Sequence, residues 1–311
     1  MASDHLRGLA AQSRLHLRAW LRGEGGVRPA IVGVVNVTPD SFSDGGRYLE
    51  ATAACRQVDR LIDDGADVIE IGGESTRPAG LTYGEGFRPV DAATQLSRVL
   101  PVIEYAARER RVTVAIDTTL AEVASAALAA GATIVNDVSC LGIDSGAAAE
   151  GVELSRVVAS HGAWLVLMHS RVGSTTKYDD VVTDVAREWA AARDRAVDVG
   201  VDPARIVMDP GVGFGKGPSD NFRMLAELAR FHALGHPLYV GASRKSFIAA
   251  AEERAKLPMS APDQRDGGTI AASLIAAAAG AAALRVHEVR AMRQALAVQA
   301  AIGDASAGEG R

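Results

Sequence analysis

Short runs rich in valine and isoleucine alternate with longer, alanine-rich amphipathic stretches from residue 30 almost to the C-terminus. Near-continuous apolar runs of strand length lie at 30–37, 67–72, 112–118, 133–139, 163–169, 205–209, 237–243 and 282–287. Runs that are apolar at nearly every position suit parallel strands covered on both faces. Helical periodicity fills the gaps at 51–64, 91–109, 120–130, 150–161, 180–199, 219–234, 268–280 and 288–301. Gly65, Gly131, Gly162 and Gly200 stand where four of those helices must stop. The pattern predicts eight β-then-α units, which fit a single closed (β/α)8 TIM barrel of the α/β class better than an open doubly wound sheet.

The polar residues that interrupt the pattern sharpen it. Asn36, Asp117, Asn136, Asp209, Lys245, Arg285 and His287 each fall at or just beyond the C-terminal end of a predicted strand. The βα loops of a barrel converge over one mouth at those ends, and barrel active sites are built there. Strand ends also host caps and turn residues, so any one of these positions has a bland explanation. So many of them together point to a site.

Composition narrows the function classes. The chain has 311 residues, of which 48% are hydrophobic, 23% charged and 5% aromatic, the profile of a globular enzyme or binding protein. A net charge of -5 argues against a dedicated nucleic-acid binder. Two cysteines, Cys55 and Cys140, leave no room for a disulfide framework and make a reducing, cytoplasmic setting the expectation. The most apolar stretch, 270–284, is too short and too alanine-rich to cross a bilayer, so no membrane association is expected. Residues 1–29 read as a leader or opening helix, with Arg7, Arg14, Arg18 and Arg22 against one acid, Asp4, in the first 23 residues. An organelle transit peptide is the other reading of that composition. The barrel is expected over 30–302, followed by a small, polar, disordered tail over 303–311.

Seven motifs then occur in a specific order: NVTPDSFSDGG at 36–46, GGESTRP at 72–78, IDT at 116–118, NDVS at 136–139, DPGVGFGK at 209–216, GASRKS at 241–246 and RVHEV at 285–289. The series resembles that of the dihydropteroate synthase family, over about residues 30–301. The resemblance implies a magnesium-assisted condensation of 6-hydroxymethyl-7,8-dihydropterin pyrophosphate with p-aminobenzoate. The products are 7,8-dihydropteroate and pyrophosphate, in folate biosynthesis, the step that sulfonamides block. It also implies a homodimer formed through the last helices, where TIAASLIAAAAGAAA is too alanine-rich for a helix facing water.

The residue types suit that chemistry. Asp117, Asn136 and Asp209 can accept from the ring N–H groups of a pterin, Lys245 can reach its carbonyl and ring nitrogen, and Arg285 can stack on its face. An ion pair with an arginine is the rival reading for either aspartate, and a loop cap the rival for Asn136. Met168 and Phe214 are candidate pocket walls or ordinary core. Thr76, Arg77, Arg285 and His287 can stabilise the charge that pyrophosphate gains as it leaves. Asn36 would be the magnesium ligand, supported by Asp44 through the resemblance. Phe42, Pro78 and the Lys245 stem would sandwich p-aminobenzoate, with its carboxylate at Ser246 and a helix N-terminus. Lys245, Asp117, Arg77 and Asp44 are the expected catalytic residues.

The chain departs from the family pattern after Pro78, where loop 2 is several residues longer (79–88) and adds Leu81, Tyr83 and Phe87. Those side chains are expected to lower sulfonamide sensitivity if they fold over the site. Cys140 stands where the family usually has glycine and reads as a small buried filler. Rival functions fit less well. GVGFGKG lacks the spacing of a phosphate-binding or dinucleotide loop. A pterin-dependent methyltransferase has no use for Arg77, Arg285 and His287. A Schiff-base aldolase built on Lys245 leaves Asn36 and Asp117 unexplained. A degenerate, purely binding paralogue should have lost positions that are all present.

Overall fold

A computed structural model describes residues 28–38, 47–74, 90–142 and 148–308. Phe42, Asp44, Thr76, Arg77, Pro78, the long loop 2 and the first 27 residues lie outside them. Eight parallel strands follow one another in chain order: β1 (Ala30–Asn36), β2 (Val68–Gly72), β3 (Thr113–Asp117), β4 (Ile134–Asp137), β5 (Trp164–Met168), β6 (Ile206–Asp209), β7 (Tyr239–Val240) and β8 (Ala283–Val286). Each pairs with its sequence neighbour, and β1 also pairs with β8. The β6–β7 seam closes through one parallel bridge, Met208 to Leu238, where the Met208 amide donates to the Pro237 carbonyl at 2.9 Å. The (β/α)8 barrel expected from the pattern is the architecture found.

The helices are α1 (Arg47–Asp63), α2 (Ala92–Glu104), α3 (Ala121–Ala130), α4 (Ala148–His161), α5 (Val181–Asp198), α6 (Pro218–Ala226), α7 (Ser246–Arg254), α8 (Asp266–Ala278) and α9 (Val289–Gly308). Their starts follow local chemistry: the Asp91 carboxylate accepts from the Thr94 amide at 2.8 Å, and Asp180 from Thr183 at 2.9 Å. The second helix ends in a π turn at Tyr105–Glu109, and α6 gives way to a 3-10 segment at Leu228–Leu234, so neither 91–109 nor 219–234 is one continuous α-helix. Helix α7 is absent from the helical stretches read from the pattern, although its start agrees with the helix N-terminus expected at Ser246, and the seventh unit carries two helices. The stretch read as a disordered tail differs too, since α9 continues to Gly308. No helix among the described residues is long and apolar enough to cross a membrane.

Alternate residues on each strand face opposite ways. One set, including Ile69, Ile71, Ile116, Leu165 and Leu284, packs with the helices in the outer core. The other set, Ala30, Val32, Val68, Ala115, Ile134, Val166, Val207, Tyr239 and Ala283, fills the barrel interior. Both faces of each strand are therefore dry, which is why the runs lack polar alternation. Two residues beyond Val68, Ala115, Ile134, Val166, Val207 and Ala283, on the same inward face, come Glu70, Asp117, Asn136, Met168, Asp209 and Arg285. The apolar barrel thus ends upward in a polar layer.

Candidate active site in the barrel mouth

Strand register sets the first part of the site. Asn36 pairs with Gly72, Gly72 with Asp117, and Asp117 with Asn136, so three polar side chains from β1, β3 and β4 share one level. Met168 and Asp209 pair in the same way across β5 and β6. Gly72 leaves room between its neighbours: a Cβ there would fall 3.5 Å from the Asp117 Cβ and 3.6 Å from the Asn36 Oδ1.

At the floor of the mouth lies Glu70, which the sequence reading missed. Its side chain is 1% exposed, and its carboxylate accepts from the Arg285 Nε, from the Tyr239 hydroxyl at 2.7 Å and from the Asn136 Nδ2 at 3.2 Å. A glutamate inside an otherwise apolar strand was the available signal, since a buried carboxylate demands donors. Arg285 also donates through Nη2 to Asp117 Oδ2 at 3.2 Å. The ion pair weighed as a rival for Asp117 therefore exists. Burial opposes the guanidinium's charge, but Glu70 and Asp117 outweigh it and hold the Arg285 pKa high.

Two oxygens remain unsatisfied. Asp117 Oδ1 and Asn136 Oδ1 are buried and have no hydrogen-bond partner. Asn136 does not cap a loop. The next residue, Asp137, does so, accepting from Ser139 at its amide and hydroxyl and from the Leu141 amide at 2.7 Å. Glu70 takes the amide nitrogen of Asn136 and so turns its oxygen to the open side. Burial, and then the neighbouring Glu70, push the Asp117 carboxyl well above its ordinary range. Asp209 shifts the same way through burial, tempered by Lys245, and accepts from the Gly211 amide at 2.8 Å.

Lys245 is the N-cap residue of α7, and Ser246, exposed, is that helix's first residue. The Lys245 ammonium donates to the Val212 carbonyl and lies 4.5 Å from the Phe214 ring centroid. Burial lowers its pKa to about 8. Phe214 is half-buried against this lysine rather than part of the core, whereas Met168 is buried at the end of β5. Beyond β8, the His287 Nδ1 stands 2.8 Å from the Ser243 hydroxyl. The mouth therefore gathers Asn36, Asp117, Asn136, Met168, Asp209, Phe214, Lys245, Arg285 and His287 from β1, β3, β4, β5, β6 and β8 and the loops after β6, β7 and β8.

These features match known proteins. Residues 32–287 match the family model described as pterin binding enzyme. The dihydropteroate synthase of Mycobacterium leprae is 41% identical over 274 residues, covering 86% of this chain and 91% of that protein. The Escherichia coli K12 dihydropteroate synthase is 37% identical, covering 87% and 90%. Among solved structures, Xanthomonas albilineans dihydropteroate synthase with 4-aminobenzoic acid superimposes with a TM-score of 0.78 at 42% identity, over 89% of this chain and 93% of that one. The same enzyme in complex with 7,8-dihydropteroate superimposes with a TM-score of 0.74 at 40% identity, over 89% and 94%. Register, burial and these likenesses agree: the chain belongs to the pterin-binding enzymes, among the dihydropteroate synthases.

Proposed function

We propose that the chain condenses 6-hydroxymethyl-7,8-dihydropterin pyrophosphate with p-aminobenzoate in the barrel mouth, releasing 7,8-dihydropteroate and pyrophosphate. The observation that carries the site assignment is the pair of buried, partnerless acceptors on adjacent strands, Asp117 Oδ1 and Asn136 Oδ1. An aminopyrimidinone edge supplies adjacent N–H donors, and two such buried acceptors are costly until it arrives. Asp209 adds a third acceptor and Lys245 a donor to the ring, while Met168 and Phe214 wall the plane. Arg285, held by Glu70 and Asp117, lies flat against a ring or turns its remaining N–H groups to pyrophosphate.

In the reaction the C–O bond to pyrophosphate breaks and its electron pair leaves with the phosphate. The amine nitrogen of p-aminobenzoate then forms the C–N bond and gives up a proton. The chain's part is to orient, to exclude water and to stabilise the departing charge. Arg285 and His287 serve that charge, with Thr76 and Arg77 assigned to it through the family. Lys245 and Ser246 are assigned to p-aminobenzoate, along with Phe42 and Pro78.

Magnesium fits at one point. Asn36 offers a hard amide oxygen beside the space that Gly72 leaves open. Among the described residues no group of three or more His, Cys, Asp or Glu side chains is placed to hold a metal. The other ligands are therefore assigned to pyrophosphate and water, with Asp44 in support through the family. An ion held by Asn36 would supply positive charge against the leaving pyrophosphate.

A homodimer and a cytoplasmic location belong to the same reading. Ile275 on α8 and Ile302 on α9 are 53% and 63% exposed, apolar side chains on the last two helices that a second copy would cover. Cys55 and Cys140 are both free thiols. The test of the function is an incubation with both substrates and magnesium, followed by chromatography. Dihydropteroate and pyrophosphate formed together, and only with both substrates, support it; neither product overturns it.

A further inference from the structure

The loop between β6 and α6 carries Val212 and Phe214, the two groups that meet Lys245, so whatever shapes this loop shapes the pterin pocket. Its backbone presses on the segment after β5 where side chains cannot fit. A Cβ at Gly211 would fall 1.8 Å from the His169 carbonyl oxygen, and one at Gly215 2.3 Å from the Arg171 carbonyl carbon, and both glycines have positive φ.

Lys216 closes the loop and turns back inside it. Its ammonium donates to the carbonyls of Gly211 and Phe214, each at 3.0 Å, and to the His169 Nδ1 at 2.9 Å, with the His169 carbonyl at 3.4 Å. Three protons meet three close acceptors, two of them on either side of Val212. The chain of partners continues outward. The Glu188 carboxylate has only lone pairs to offer, so the His169 Nε2–H donates to it at 2.9 Å and the Nδ1 of the same ring accepts. Burial keeps that imidazole neutral, with its pKa down at about 4. Glu188 also accepts from the Arg171 Nε at 3.0 Å, and the Arg171 guanidinium lies 4.0 Å from the Tyr178 ring centroid. His169 and Arg171 are 1% and 5% exposed. From α6, Asn221 braces the outer side, accepting from the Gly213 amide at 2.7 Å and donating to the Lys216 and Gly217 carbonyls.

A half-buried lysine is an expensive way to fill a loop. The carbonyls of Gly211 and Phe214 go to Lys216, while that of Val212, within the same turn, goes to Lys245. We infer that Lys216 is a positioning residue for pterin binding, clamping the Gly211–Phe214 turn from behind so that the Val212 carbonyl and the Phe214 ring hold Lys245 in place. His169 and Glu188 set the clamp's orientation in turn. This rests on the pterin reading of the mouth.

Steady-state kinetics of Lys216→Met test it. The parent enzyme is the control: a parent that makes no dihydropteroate defeats the proposed function, not this inference. With an active parent, the variant should raise the KM for the pterin pyrophosphate about tenfold while kcat falls less than about threefold, the mark of lost binding rather than lost chemistry. A merely structural lysine would lower the folded fraction, and so kcat, with KM unchanged, and that result overturns the inference. If Lys216→Met does not fold, Glu188→Gln decides alone: a pterin KM raised about threefold supports the clamp, and an unchanged KM overturns it.

Discussion

The Glu70 carboxylate and the Arg285 guanidinium, 215 residues apart in the chain, form an ion pair at the floor of the barrel mouth. Tyr239 and Asn136 also donate to Glu70, so both of its carboxylate oxygens meet protein donors. A pair of this kind adds little net stability over an apolar isostere, but breaking one side is costly because it strands the other charge. Here it does a second job, since the same carboxylate decides which atom of Asn136 and which edge of Arg285 face the substrate.

Glu70→Gln should therefore lower unfolding stability by about 3 kcal/mol and weaken pterin binding, acting through Asn136 and Arg285. Urea unfolding checks the first part and titration with a non-reactive pterin the second. Parent-like stability together with parent-like affinity would contradict the account.

Lys245→Ala and Asp117→Ala should each reduce turnover at least about a hundredfold, the worth of a charged hydrogen bond lost from a dry site. Circular dichroism should be unchanged in both, because these side chains lie at the mouth and not in the apolar layers. Turnover within about tenfold of the parent, in a folded variant, removes the residue from the mechanism.

Burial lowers the Lys216 pKa from 10.5 to about 7 in the folded chain, against attraction from Asp209 and with repulsion from Lys245 and Arg171. Between those two values the unfolded chain holds the proton and the folded chain does not, so stability contributed by this group rises with pH across that window. Below about pH 7 both states are protonated and the gain is absent. Thermal unfolding of the parent relative to Lys216→Met should accordingly shift in the parent's favour from pH 7 to 9.5. A difference that stays flat, or moves the other way, refutes the assignment.

Sulfonamides carry a substituent bulkier than p-aminobenzoate, and Leu81, Tyr83 and Phe87 in the longer loop 2 are expected to reject it sterically if they fold over the site. Replacing 79–87 with a short Gly-Ala-Thr linker should lower the sulfonamide inhibition constant and leave the p-aminobenzoate KM near the parent value. Parallel inhibition and rate measurements check this; an unmoved inhibition constant shows that the insertion is decoration.

The eight strands were legible because both their faces are dry and the apolar runs are unbroken. Strand β7 is shorter than its run, Tyr239–Val240 against 237–243, since Pro237 lacks an amide proton and Gly241 packs no side chain. Helix α7 is harder to see in the pattern because SFIAAAEER is only nine residues, too short for a strong helical period. In the site, residues at strand ends stood out, whereas Glu70 was hidden in VIEIG and Lys216 was read only as the last letter of a motif. Both act through what they hold, and such roles depend on partners that sequence spacing does not display.

Equilibrium binding of a non-reactive pterin to the parent, Asp117→Ala and Asn136→Leu tests the central claim most directly. The account predicts one site per parent chain and at least about tenfold weaker binding in each variant, because each loses one of the two waiting acceptors. Equal affinity in all three proteins would show that the pterin does not lie on Asp117 and Asn136, and the site assigned to the barrel mouth would be wrong.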